Sequence, residues 1–185
     1  MFINPQHAIQ QGWIKGIKNL ETQVQPNAID FTLDRVFSIS DNEFIISTEK
    51  ATGKELKQMR GGSEILTSPD RRTGVEFFHL ITSSYDILSA VYVDLPEGVA
   101  CLLVPRSTFA RNAMWIVSGL YDSGFKGHVG CVLHQLKGTS KVEKGTRIGQ
   151  IIFVSSENAK LYAGGYNHNE NTEAPHQAVN AFEVL

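Results

Sequence analysis

With 185 residues, 42% hydrophobic and 19% charged, the chain is long enough for one domain with a substantial core and short for two. A net charge of −2 excludes a protein that grips nucleic acid through a broad basic surface, yet leaves room for a local basic pocket sized for a mononucleotide. No stretch approaches the ~18 apolar residues of a membrane helix and no basic-then-apolar leader opens the chain, so the expectation is a cytoplasmic protein, cellular or viral, with neither membrane nor nucleic-acid partners.

Asn4-Pro5 predicts a helix start, an Asn cap followed by proline at the first helical position. Ala8, Ile9 and Ile14 would share one side of that helix, which is expected to end near Gly16. The period then shortens. Residues 28–39 (AIDFTLDRVFSI) predict a strand, and Phe44-Ile45-Ile46 a short apolar one. Residues 50–75 are polar, with Gly53, Gly61-Gly62, Pro69 and Gly74 among Lys54, Lys57, Arg60, Arg71 and Arg72. They predict a solvated excursion, with an interaction or lid element as the alternative.

Short β-rich runs follow at 77–81, 87–93, 99–104, 114–117 and 128–136, and a turn at 142–145 leads into 148–154. Many short strands with a single helix predict an all-β barrel or sandwich over residues 1–155. Residues 156–185 form a tail, its stretch 162–178 rich in Gly, Asn, His and Glu, expected to be flexible unless a ligand or partner orders it. Cys101 and Cys131 each sit in an apolar run and are expected to be buried, reduced thiols. The histidines show no metal-ligand spacing, so no zinc site is expected.

Three segments bear chemistry. Residues 106–111 (RSTFAR) place two arginines five apart around two hydroxyls, a plausible oxyanion cradle or a solvated helical turn. Residues 119–127 (GLYDSGFKG) surround one acid with glycines, which lets backbone approach a ligand, or simply makes a turn. Residues 144–153 (KGTRIGQIIF) put Gln150 in an apolar strand, where it needs a partner if buried.

In order, RSTFAR, GLYDSGFKG and GTRIGQIIF resemble the motifs of the superfamily that joins dUTPases to dCTP deaminases. Residues 24–33 (VQPNAIDFTL) are similar to its "QPxSxDxRL" strand, and 95–100 (LPEGVA) to its "LPxxxxG" segment. The N-terminal helix and the QP strand look closer to the deaminase branch, bifunctional deaminase–dUTPases included. The resemblance covers about residues 1–40 and 76–155. It implies a distorted, jelly-roll-like β-barrel with a short N-terminal helix, assembled as a homotrimer with active sites at subunit interfaces. The implied ligand is a pyrimidine deoxynucleoside triphosphate with Mg2+, the magnesium carried mainly by the triphosphate.

By the same resemblance, Arg106, Ser107 and Arg111 surround the triphosphate and Gln150 contacts phosphate. Asp122 orients or deprotonates the attacking water and meets the sugar 3′-hydroxyl, with Gly119 and Tyr166 as further substrate contacts. Asp30 falls on an acid linked through water to magnesium, a structural role being the alternative. Deaminases carry a proton-shuttling Glu ten positions beyond the motif acid, and this chain has Val132 there. His134, two positions on, keeps the same strand face but is displaced by roughly 6–7 Å. The hairpin 112–120 (NAMWIVSGL) reads the base in relatives. Its Trp115 is expected in the core, with base stacking as the alternative. The tail residues Tyr162, Gly164, Gly165 and Tyr166 weakly resemble the start of the deaminase lid, and Lys160 is the tail's single Lys or Arg. The expected activity is cleavage of dUTP to dUMP and pyrophosphate. The alternatives are a dCTP deaminase or bifunctional enzyme, and a non-catalytic nucleotide-binding or regulatory member.

Overall fold

A computed structural model of the chain describes residues 1–41, 62–157 and 160–172. Helix α1 (Pro5–Gln10) starts as its first residues dictate: the Asn4 side chain accepts from the Gln6 amide and Pro5 occupies the first turn. It stops earlier than Gly16. Gly12 takes φ +72°, which glycine reaches at no steric cost, and Ile14 is buried not on a helix but in strand β1 (Ile14–Lys15), paired with Val93 and Tyr92. A four-residue helix α2 (Leu20–Gln23) follows, capped by Asn19 accepting from Thr22; no sequence signal marked it.

The strands are β2 (Ile29–Ser38), β3 (Ser68–Pro69), β4 (Glu76–Leu80), β5 (Ser83–Asp94) and β6 (Val99–Pro105). Then come the short helix α3 (Ser107–Arg111) and strands β7 (Met114–Val117), β8 (Lys126–Gln135), β9 (Ser140–Glu143) and β10 (Arg147–Ser155). The main sheet runs β6-β10-β2-β5-β8-β7, antiparallel throughout, with β1 on the flank of β5. Strands β6 and β7 approach each other, so the sheet nearly closes into a barrel. A second sheet, β3-β4-β9, caps it. Residues 142–145 were expected only as a turn; Val142 and Glu143 instead finish strand β9, paired with Phe78 and Phe77.

The core gathers Ile29, Phe31, Leu33, Ile87, Leu133, Ile151 and Phe153, all at most 1% exposed. Burial of each contributes about 1.5–3 kcal/mol. Trp115 is not among them. On β7 only Met114 and Ile116 point inward, and Trp115 is 55% exposed on the outer face. Alternation along a strand, not side-chain size, decided its side.

The apolar run at 44–46 and most of the polar excursion lie outside the described residues. Within 62–75, mostly exposed, Glu64 bridges to Phe37 by backbone and pairs with Arg35 at 2.8 Å. Among the described residues no helix is long and apolar enough to cross a membrane.

Candidate active site

Three separate segments meet at one end of the barrel. Gln150 on β10 lies directly opposite Asp30 on β2, and its amide Nε2 donates to Asp30 Oδ1 at 2.9 Å. Arg106 follows β6, the other neighbour of β10. Its Nε stands 3.3 Å from Asp30 Oδ2. Arg147, at the start of β10, places Nη1 3.2 Å from the same oxygen and also donates to Thr22 O. From below, Gln23 Nε2 donates to the Asp30 carbonyl at 3.0 Å, while its Oε1 accepts from the amides of Lys18 and Asn19.

Asp30 is completely buried, whereas the Arg106 and Arg147 side chains are 30% and 33% exposed. One buried carboxylate thus organises two guanidiniums that reach solvent. The three charges sum to +1, and the surplus sits on forked donors suited to phosphate oxygens. Both Asp30 oxygens are engaged by protein donors, the arrangement of a counter-ion to the two arginines. Ser107 and Arg111 are exposed on α3, immediately beyond Arg106.

Arg147 was not singled out by its residue type or position. In a regular strand residues three apart face opposite sides. A register shift between Arg147 and Gly149 turns Arg147 to the side of Gln150. Gly149 is glycine for a packing reason: a Cβ there would lie 2.4 Å from the Phe31 ring.

Asp122 is elsewhere. It opens a tight turn closed by the Phe125 amide donating to Asp122 O at 3.0 Å, with Gly124 at φ +87°. The turn is pinned to the opposite end of β6: Tyr121 exchanges backbone hydrogen bonds with Cys101, and Ser123 Oγ donates to Val99 O at 2.9 Å. Asp122 and Gly119 are exposed. The buried Tyr121 hydroxyl donates to Gly130 O and accepts the Gly130 amide, and burial pushes its pKa well up. Tyr166 lies on this side too, its carbonyl facing His168 Nδ1 at 3.0 Å. From Cys101 to Arg106 is five residues, roughly 16 Å along a strand. Within one chain, therefore, Asp30, Arg106 and Gln150 are brought together, and Asp122 lies apart from them on a turn braced by the segment that carries Tyr166.

Val132 lies on β8 between Asp86 and Val117 of the neighbouring strands, and His134 two residues on shares its face, with Nδ1 2.7 Å from Ser84 Oγ. Among the described residues no cluster of three or more His, Cys, Asp or Glu could hold a metal ion. Cys101 and Cys131 are free and buried, as expected.

Comparison with known proteins agrees with this architecture. The probable deoxyuridine 5′-triphosphate nucleotidohydrolase of Methanopyrus kandleri is 29% identical over 147 residues, covering 79% of this chain and 88% of that protein. The protein of the same name in Halobacterium salinarum is 23% identical over 155 residues, covering 84% of this chain and 89% of that one. The crystal structure of 2′-deoxycytidine 5′-triphosphate deaminase from Agrobacterium tumefaciens shares the fold, with a TM-score of 0.61 at 14% identity over 84% of this chain. This chain spans about half of that one (48%). A family model described as dCTP deaminase-like matches residues 4–156, from the cap of α1 to the end of β10. The chain belongs to the dCTP deaminase-like family.

Proposed function

We propose that this chain is a dUTP diphosphatase, converting magnesium-bound dUTP and water to dUMP and pyrophosphate. The observation that carries this reading is the convergence of Arg106, Arg147 and Gln150 on the buried Asp30. The nucleotidohydrolase names of the relatives point the same way. Cleaving the bond between the first two phosphates leaves growing negative charge on the departing pyrophosphate. Fixed guanidiniums stabilise that charge without reorganising, and they are worth more where water is partly excluded. Ser107 and Arg111 add donors from α3. Magnesium enters with the triphosphate it screens, as this hard ion often does.

Asp122 supplies the base that accepts a proton from the attacking water and contacts the sugar hydroxyl. The turn carrying Asp122 is anchored at Cys101, toward the other end of β6 from Arg106, so Asp122 serves the phosphate cluster of another copy, in the homotrimer with interface sites that the family resemblance implies. Deamination is the weaker reading, because Val132 cannot transfer a proton. Asp86 stands opposite it on β5, and His134 lies two residues along the same strand.

The test incubates the protein and magnesium with deoxynucleoside triphosphates, dUTP and dCTP among them, and follows pyrophosphate and ammonia together. Pyrophosphate from dUTP, reduced 10²- to 10⁴-fold in Asp122→Asn, is expected, since a positioned general base contributes about that factor. Ammonia from dCTP would establish a deaminase. Nucleotide binding without either product would mark a non-catalytic member.

A further inference from the structure

Strand β7 covers only the second half of β8, pairing residues 132–135. The first half, Lys126 to Gly130, would leave a row of open backbone groups, which protein edges rarely tolerate. Tyr121 closes the row at Gly130. The rest is closed by the chain's own tail. The Lys126 amide donates to Asn167 Oδ1 at 2.9 Å, the Lys126 carbonyl accepts the His168 amide at 2.9 Å, and the His128 amide donates to His168 Nε2 at 3.0 Å. The composition predicted a tail ordered only by a ligand or partner; for residues 160–172 that partner is the barrel itself. The same segment braces the Asp122 turn. The Tyr162 amide donates to Ser123 O at 2.8 Å, Leu161 and Tyr162 fill the space beside Gly124, and the Tyr162 ring packs edge-on against Phe125.

We propose that residues 161–170 are a positioning strap for the turn that carries Asp122, latched by uncharged His128 and His168. The positioning role rests on the hydrolase reading; the latch does not. Hydrogen bonding fixes the tautomers. His168 Nε2 must accept, so its proton is on Nδ1, facing Tyr166 O. His128 donates through Nε2 to Glu170 O, and its Nδ1 is buried with no hydrogen-bond partner among the described residues. An imidazolium at 168 has no lone pair to offer the His128 amide. One at 128 would bury a donor without an acceptor.

The rings stack 5.5 Å apart, so two positive charges would also repel. Among the described residues, the nearby carboxylates are already paired with lysines. From β5, Asp94 pairs with Lys126 of β8 at 2.9 Å; from β1, Lys15 pairs with Glu170 of the strap at 2.9 Å. Tyr92 of β5 faces both rings and donates to His168 O at 2.8 Å. Docking therefore requires neutral imidazoles, and acid favours release.

The test is amide hydrogen exchange, read on the peptide spanning residues 123–130 of the intact protein and corrected for the intrinsic effect of pH. Moving from about pH 7.5 to about pH 5.5, one unit below a free imidazole, should raise opening about tenfold if one histidine must be neutral and about a hundredfold if both must. His168→Gln, whose amide oxygen accepts at any pH, should stay protected and lose most of that response. His168→Ala should exchange fast at both values. Equal protection in wild type and His168→Ala, or the same acid response in wild type and His168→Gln, would overturn the latch. Should dUTP be hydrolysed, His168→Ala is expected to lower kcat more than it raises KM, with His168→Gln restoring kcat at neutral pH. Unchanged kcat in His168→Ala would refute the positioning role alone. Absence of any turnover would refute the hydrolase reading and leave the exchange result standing.

Discussion

Replacing Asp30 by Asn keeps the side chain's shape and removes its charge, so it isolates what the carboxylate does. The oxygen facing Gln150 Nε2 can be retained, but Oδ2 gives way to an amide group aimed at the donors of Arg106 and Arg147. The charge-assisted hydrogen bond from Arg147, worth about 1.5–3 kcal/mol where desolvated, and the ion pair with Arg106 are lost. The arginines are about one third exposed, so water recovers part of this, and the net loss is about 3 kcal/mol, at the low end for breaking a buried ion pair. In a chain of this size that corresponds to a drop in Tm of roughly 6–12 °C. Thermal unfolding at fixed protein concentration, with urea midpoints alongside, measures it. A loss below about 1 kcal/mol would refute the counter-ion role. If Asp30 served magnesium instead, Asp30→Asn would leave unfolding unchanged and raise the magnesium concentration needed for turnover.

Three further outcomes follow from the same geometry. Arg147→Ala should lower kcat/KM for the nucleotide roughly 10- to 150-fold, the kinetic equivalent of one charged hydrogen bond to phosphate; an unchanged value would remove Arg147 from the site. Gly149→Ala drives a methyl group to 2.4 Å from the Phe31 ring and 3.0 Å from Val104 O, an overpacking cost of about 1–3 kcal/mol that urea unfolding should register. Burial pushes both cysteine thiols up, with the nearby Asp86 a second cause at Cys131, so neither forms thiolate readily at neutral pH. Both should resist alkylation until the chain is unfolded in urea, and fast labelling of the native protein would contradict the packing around them.

What the sequence determined by itself was everything local or periodic. The Asn4-Pro5 cap, the strands read at residues 28–39, 99–104 and 114–117, and the two buried thiols all follow from residue type and alternation, which need no knowledge of neighbours. The motif order named the relatives and picked Asp30, Arg106 and Gln150, and Gln150's need for a partner was visible as a polar residue in an apolar run. What only tertiary structure decided was which of these meet. Arg147 joined the cluster through a strand irregularity that no period predicts. Ile14 left its expected helix for the flank of β5 because a pairing partner distant in sequence, Val93, set its place. The same cause split the site: Asp122 and Arg106 are 16 positions apart in the chain, yet they sit toward opposite ends of β6, because the turn containing Asp122 is anchored at Cys101 while Arg106 leaves the strand's far end. Backbone hydrogen bonds between remote segments fix such distances, and a one-dimensional pattern does not contain them.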